Sequence, residues 1–261
     1  MMNTLKISFA GAGRVAGALC RKFFLSGFKM DLIVSQSKTS SKNLADLCES
    51  SWSTELIFPY STNLLIVAVP DQRLKSVLDT IICGPDTLIV HTAGSIGIDV
   101  FPEKFTSKGV FYPLQTFSNE RQPDFKGLPF FLEASDVKSS GLLKNLVESI
   151  GGIPNFATSE QRRILHVSAV FASNFTNHML TISKELALKT GLNFNLLEPL
   201  IMETISKAIE IGPEAAQTGP AVRRDLNTID RHLELLSFSP ELQKIYRDMT
   251  QSIIEYYKDN R

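Results

Sequence analysis

The sequence predicts an α/β domain built on a parallel sheet, followed by an all-α carboxyl-terminal domain, and three features carry that prediction. A glycine-rich turn joins the apolar run Lys6–Ala10 to a segment of helical periodicity. Continuous apolar runs then alternate with amphipathic helical stretches as far as Ala157. Past Thr158 only helical patterning remains. Such alternation implies right-handed crossovers and a parallel sheet, with ligands bound beyond the carboxyl ends of its strands.

The first element is the strand, turn and helix at Lys6–Leu19. Gly11-Ala12-Gly13-Arg14-Val15-Ala16 has the G-x-G-x-x-A spacing of a dinucleotide fingerprint. Gly11 supplies the φ that the turn needs, Gly13 has no Cβ to block a pyrophosphate, and Ala16 lets the helix pack close to the strand. The helix opens at Gly13 with free N–H groups and the positive end of its dipole aimed at the phosphates. The spacing alone is weak evidence. Here it follows an amino-terminal strand and precedes Val15, Ala18, Leu19 and Phe23 at helical spacing, which is the context the motif requires. Gly11, Ala12, Gly13, Arg14 and Val15 are therefore candidate cofactor contacts.

The second strand, Asp31–Lys38, ends where its last side chains should meet the adenosine ribose. An NAD-binding chain would place Asp or Glu there. This one has Ser35, Gln36, Ser37 and Lys38. Two hydroxyls and a cation suit a 2′-phosphate, so Ser35, Ser37 and Lys38 favour NADP over NAD; the alternative is a polar loop that happens to contain a lysine.

Further along, Ser40–Ser51 reads as a helix, Leu64–Asp71 as a strand stopped by Pro70, Gln72–Ile82 as a helix and Thr87–Ser95 as a second buried strand. The ends of those two strands place Val69, Pro70, Ala93 and Gly94 among the cofactor contacts. Gly109–Phe117 looks like a short strand and loop, Leu128–Glu133 like a strand, Val137–Ile150 like a helix ended by Gly151-Gly152, and Ile153–Ala157 like the last strand. One long helical pattern then spans Ser159–Lys189, a second runs over Phe194–Ile211, and a loop at 212–220 precedes two more helices. The domain boundary falls near Asn155, giving a dinucleotide-binding domain over 1–155 and a helical substrate and dimerisation domain over 156–261.

Composition excludes several classes. At 261 residues and 43% apolar the chain supports a packed core, and 27 basic residues balance 27 acidic ones, so no global field favours nucleic acid or a membrane surface. The short lead Met1–Thr4 and the lack of any long apolar run point to a soluble, cytoplasmic protein. Cys20, Cys48 and Cys83 are widely spaced and read as buried thiols rather than ligands, and no metal site is expected.

The long helix carries an apolar stretch, Ile164–Ala172, broken by His166 and Ser168. A helix apolar on most sides is expected to be buried, for instance against a partner subunit. At 100° per residue, Ser173 and Asn177 lie about 20° to either side of His166, so the three share one stripe, spread over roughly 16 Å. Polar groups on a buried helix need partners, and either a substrate or ordinary helix–helix hydrogen bonds would serve. Near the end of the chain, Arg223 and Arg224 follow Gly219-Pro220 at a helix start, where the dipole is already positive. Asp225, a substrate carboxylate or a cofactor phosphate would offset them.

Together, the Gly11–Gly17 turn, His91-Thr92-Ala93-Gly94-Ser95, Tyr112-Pro113-Leu114-Gln115, the His166 helix and Thr218-Gly219-Pro220-Ala221-Val222-Arg223-Arg224-Asp225 resemble a family of NADP oxidoreductases. Its members pair a Rossmann domain with a helical domain of unknown function. The likeness spans nearly the whole chain. More distantly the layout is similar to pyrroline-5-carboxylate reductases, deazaflavin-dependent NADP reductases and 3-hydroxyacid dehydrogenases. The resemblance implies an α/β Rossmann dinucleotide-binding domain, an all-α carboxyl-terminal domain that usually forms a dimer, and a cofactor between them. In one respect the chain departs from the hydroxyacid dehydrogenases: His166 and Val170 stand where they carry a Lys and an Asn.

The reading that follows is an NADP-dependent oxidoreductase, with hydride passing between nicotinamide and a small imine or carbonyl compound in the interdomain cleft. His166 is the candidate acid/base, with His91 and Asn177 as further catalytic candidates. An iminium arrives already protonated, so an imine, or a carbonyl assisted by His166, suits a chain without the Lys. A homodimer is expected. The rival reading is a non-catalytic NADP-binding module that reports cofactor state to a partner.

Overall fold

The computed structural model describes residues 5–118 and 121–258; Met1–Thr4, read above as a lead into the first strand, lie outside the described residues. The chain divides into two compact units, Met1–His178 and Met179–Arg261.

The strands of the first unit are β1 (Lys6–Ala10), β2 (Lys29–Val34), β3 (Ser51–Ser53), β4 (Leu64–Val67), β5 (Leu88–His91), β6 (Lys108–Pro113), β7 (Pro129–Ala134) and β8 (Ile153–Phe156). They form one sheet in the order β3-β2-β1-β4-β5-β6-β7-β8. All neighbours pair in parallel except β6 and β7, which are antiparallel. The first six strands thus have the Rossmann order, with the reversal of winding between β1 and β4. The helices of this unit are α1 (Arg14–Leu25), α2 (Lys38–Leu47), α3 (Asp71–Thr80), α4 (Val137–Ser149) and α5 (Ser159–Ala169).

The apolar runs become central strands because both faces of the sheet are covered. In β4, Leu64 and Ile66 join one core with Phe9, Phe23, Phe111 and Phe130, while Leu65 and Val67 join the other with Leu74, Leu78 and Ile89. Each such side chain contributes about 1.5–3 kcal/mol by leaving water. Truncating one to alanine would cost about 2–5 kcal/mol.

Some boundaries differ from those read in the sequence. The helix expected at Ser40–Ser51 is α2, which starts earlier because the Ser37 Oγ accepts the Ser40 N–H at 3.3 Å and caps it. Its expected last residue instead begins β3, a three-residue edge strand too short to show any alternation. The strand expected to run to Ser95 stops at His91, whose ring accepts the Ala93 N–H and turns the chain away from the sheet.

The long pattern at 159–189 is helical throughout, but it is not one uniform α-helix. Val170–Phe175 is π-helical, and α6 (Thr176–Lys189) follows. The wider turn sets later residues back by about one position, roughly 100°. The stripe drawn through His166, Ser173 and Asn177 at constant pitch therefore does not persist beyond Val170. The expected burial also fails within one chain: Arg162 is the buried residue of α5, while Ile164, Val167, Phe171 and Phe175 are exposed.

The second unit is all helical, continuing with α7 (Glu198–Ile211), α8 (Pro213–Ala216), α9 (Pro220–Arg223), α10 (Leu226–Leu235) and α11 (Pro240–Tyr256). The stretch expected as a loop at 212–220 thus holds α8, with proline at its first turn. Asp225 caps α10 through the Thr228 N–H, and the Ser239 Oγ caps α11 through the Leu242 N–H. A 2.8 Å hydrogen bond between His232 Nδ1 and the Tyr246 hydroxyl ties these two helices together. No helix among the described residues is long and apolar enough to cross a membrane. The change of pattern near Asn155 precedes the division between the units, which falls inside α6.

Candidate active site

The turn after β1 is held open by two glycines. Gly11 has φ +115°, and a Cβ there would strike the Ala68 carbonyl beyond β4. Its N–H donates to the Val34 carbonyl at 2.7 Å, which holds the turn against β2. Gly13 is the N-cap of α1, with no side-chain cap and no acid in the first turn. Nothing lies within 4 Å of where its Cβ would stand. Uncapped N–H groups facing open space at a helix start are a cradle for an anion, and they fit the pyrophosphate of a dinucleotide.

From this cradle a groove of about 580 Å³ runs over the ends of β2, β1 and β4. Gly11, Ala12, Gly13, Ser35, Val69 and Pro70, each a candidate cofactor contact in the sequence, line it. Its apolar wall is Leu56, Ile57, Val77 and Ile82, of which Ile57 and Ile82 are each 53% exposed. Such a wall suits an aromatic base.

Other expected contacts lie elsewhere. Arg14 lines an adjoining recess of about 260 Å³, which shares Ala12 and Gly13 with the groove and also holds Arg21 and Asn43. Val15 packs on the core. Ser37 caps α2, and Lys38 Nζ sits 5.5 Å above the Trp52 ring; neither lines the groove. The cation that does line it is Arg73 of α3, whose Nη1 donates to the Gln36 side-chain oxygen. No sequence motif marks Arg73. Its contact exists because only β1 separates β4, which feeds α3, from β2, which feeds Gln36.

Beyond β5 a second group of residues assembles. His91 is fully buried and stacks on Phe101 at 5.4 Å. Its Nδ1 accepts the Ala93 N–H at 3.2 Å, so the ring proton is on Nε2, 3.4 Å from the Gly97 carbonyl. Burial, chiefly, lowers its pKa to about 4. His91 is thus a neutral post that shapes the turn from Thr92 to Gly97, and Ala93 is buried beside it.

Gly94 leads to the group that matters most. A Cβ on Gly94 would lie 2.6 Å from Tyr112 Cζ and 2.8 Å from His166 Nδ1. The Tyr112 hydroxyl is 3.0 Å from His166 Nδ1. The backbone after β5 therefore lies flush against a Tyr–His pair, with Tyr112 from β6 and His166 from α5. Burial and the Asp71 carboxylate raise the Tyr112 pKa against a lowering effect of Arg162, which keeps its hydroxyl neutral. Asp71 itself accepts from the Ser95 Oγ at 2.6 Å, fixing the start of α3 to the same turn.

Beneath this pair lies Arg162, one helical turn before His166. Its guanidinium donates to Glu133 of β7 and to the Ile96 carbonyl, each at 2.7 Å. Ser159 joins them, donating to Glu133 at 2.8 Å. In the sequence Tyr112 stands out only within Tyr112-Pro113-Leu114-Gln115, with no role attached, and nothing marks Arg162.

The remaining candidates stand apart. Asn177 is exposed on α6, beyond the π-helical turn. Arg223 and Arg224 are exposed, and neither has an ion pair within 4 Å among the described residues. The Asp225 carboxylate serves the Thr228 N–H and hydroxyl.

A Rossmann-like domain family matches residues 2–116, and the domain of unknown function DUF2520 matches residues 128–253. No curated protein matches the chain. Among solved structures it is similar to the putative NADP oxidoreductase BF3122 from Bacteroides fragilis, with 37% identity, a TM-score of 0.88, and 98% of this chain and 100% of that one covered. It is also similar in fold to a pyrroline-5-carboxylate reductase from Coxiella burnetii, at 15% identity and TM-score 0.57, with 98% of each chain covered. A third is the reductive aminase from Aspergillus terreus in complex with NADPH and ethyl-5-oxohexanoate, at 13% identity and TM-score 0.69 over 97% of this chain and 94% of that one.

Proposed function

Because the chain belongs to the family that joins a Rossmann-like domain to DUF2520, we propose that it is an NADP-dependent oxidoreductase acting on a small imine or carbonyl compound. One observation supports the chemical half of this reading above all: the Tyr112–His166 pair lies against Gly94, at the carboxyl edge of the sheet where a dinucleotide-binding fold presents its ligand.

NADPH, when bound, supplies the hydride. The pyrophosphate would rest at Gly11–Gly13, and the adenine against Leu56, Ile57 and Val77. One ring nitrogen of His166 would meet the substrate nitrogen or oxygen, while Tyr112 fixes the other and with it the plane of the ring. As the C=N or C=O carbon is reduced, the proton passes from His166 to the heteroatom and leaves the ring neutral. An iminium needs no such proton, and His166 then only orients it. His91, neutral and closed off, holds the Gly94 turn in place. The exposed Ile164, Val167, Phe171 and Phe175 support a homodimer in which a second copy covers them.

The decisive experiment follows NADPH consumption against a panel of cyclic imines, 2-oxo acids and ketones offered with amines. Turnover that His166→Asn abolishes supports the reading. Tight NADPH binding without turnover on any panel member would instead make the protein a cofactor-sensing module.

A further inference from the structure

We infer that Arg73, reaching across from α3 to the end of β2, is the side chain that selects the 2′-phosphate of NADP, and that Lys38 has no part in it; this rests on the NADP reading above.

Three observations converge. First, the ribose of a dinucleotide bound at Gly11–Gly13 meets the residues that follow β2, and of these Ser35 and Gln36 line the groove. Second, the Arg73 guanidinium lines the same groove and is tethered to the Gln36 side-chain oxygen, so its charge is held where the 2′ position arrives. A guanidinium has five donors, and one tether leaves a face free for two parallel bonds to a phosphate. Third, the lysine that sequence alone would choose is turned aside, its ammonium resting on Trp52 of β3. An acid also lines the groove, Glu55, just beyond β3. A carboxylate there makes a fixed cation more necessary for a dianionic phosphate, and leaves Glu55 to accept from a ribose hydroxyl or the adenine amino group.

The arrangement also separates affinity from orientation. Gln36 has no charge to offer, and its role is to position the guanidinium. Lysine at position 73 would keep the charge without the planar fork.

The test is a set of binding titrations on the full chain, which need no substrate. NADPH and NADH are titrated by nicotinamide fluorescence, and 2′,5′-ADP and 5′-ADP by displacement. Arg73→Gln should weaken NADPH and 2′,5′-ADP by roughly 10–100-fold while NADH and 5′-ADP stay within about 2-fold, the loss expected for charge-assisted hydrogen bonds. Arg73→Lys should recover part of that loss. Lys38→Gln should leave all four ligands within about 2-fold. Arg73 is exposed, and an unchanged melting temperature will show that its variants fold. If Arg73→Gln weakens NADPH and NADH equally, the guanidinium serves the adenine and the assignment is overturned. A wild type that prefers NADPH and keeps that preference in Arg73→Gln also overturns it, leaving the NADP reading intact. Equal wild-type affinities for NADPH and NADH would instead overturn the NADP reading, and this assignment with it.

Discussion

Glu133 and Arg162 meet at 2.7 Å, with the arginine side chain fully buried and the carboxylate 21% exposed. The pair joins β7 to α5, and a second guanidinium bond to the Ile96 carbonyl joins both to the turn after β5. Arg162 and His166 are four residues apart on one helical face. Whatever fixes Arg162 therefore fixes the height and rotation of His166 against Tyr112.

Removing the carboxylate should be expensive. Glu133→Ala leaves a buried cation with only neutral partners, and urea denaturation should show a loss of about 3 kcal/mol. Arg162→Met should cost less, because the partly exposed carboxylate it leaves behind can hydrate. A loss under about 1 kcal/mol in Glu133→Ala would mean that the pair does not hold α5.

The Tyr112–His166 bond predicts a split between chemistry and binding. His166→Asn should lower kcat by roughly 10²–10⁴ with NADPH affinity within a few fold. Tyr112→Phe keeps the ring and removes the tether, so kcat should fall by about 10-fold and the pH profile should move. Unchanged profiles of kcat against pH in both variants would remove the pair from the reaction.

Stability should depend on pH through His91. Its pKa is about 4 in the folded protein against an ordinary 6.5, so between those values the unfolded chain binds a proton that the folded one does not. Stability from this group is complete above about pH 6.5 and is lost as pH falls toward 4, by up to roughly 3 kcal/mol. Urea midpoints measured from pH 7 to pH 4.5 should fall in the wild type and fall less in His91→Asn. Parallel curves would show that His91 is not the titrating group.

The two fingerprint glycines should fail differently. Gly11→Ala demands a positive φ and collides with the Ala68 backbone, so it should lower the melting temperature as well as NADPH affinity. Gly13→Ala meets nothing in the protein alone. Its melting temperature should stay near that of the wild type while NADPH binding weakens at least about 10-fold, since the methyl group occupies the phosphate's space. Calorimetry with and without NADPH separates the two cases.

Local patterning made much of the molecule legible. The strand and helix alternation, the turn at Gly11–Gly13 and the all-helical end depend on periodicity and backbone sterics, which short segments carry with them. The start of α2 was not legible, because it is set by the Ser37 Oγ accepting the Ser40 N–H, a bond that periodicity does not show. The π-helical turn at Val170–Phe175 left no mark, because its residues suit an α-helix equally well, yet it rotated Asn177 away from the stripe assigned to it.

By itself, then, the sequence determined the mostly parallel sheet, the glycine turn at Gly11–Gly13 and the nomination of His166. Tertiary structure alone decided the partners. Tyr112 meets His166 across 54 positions of chain, Glu133 meets Arg162 across 29, and Arg73 meets Gln36 across 37. Each contact requires strands from separate parts of the chain to lie side by side or one strand apart in the sheet. Strand order follows from how whole elements share one core, a property of no single segment, whereas a turn's φ or a helix's capping residue is settled within a few residues of itself.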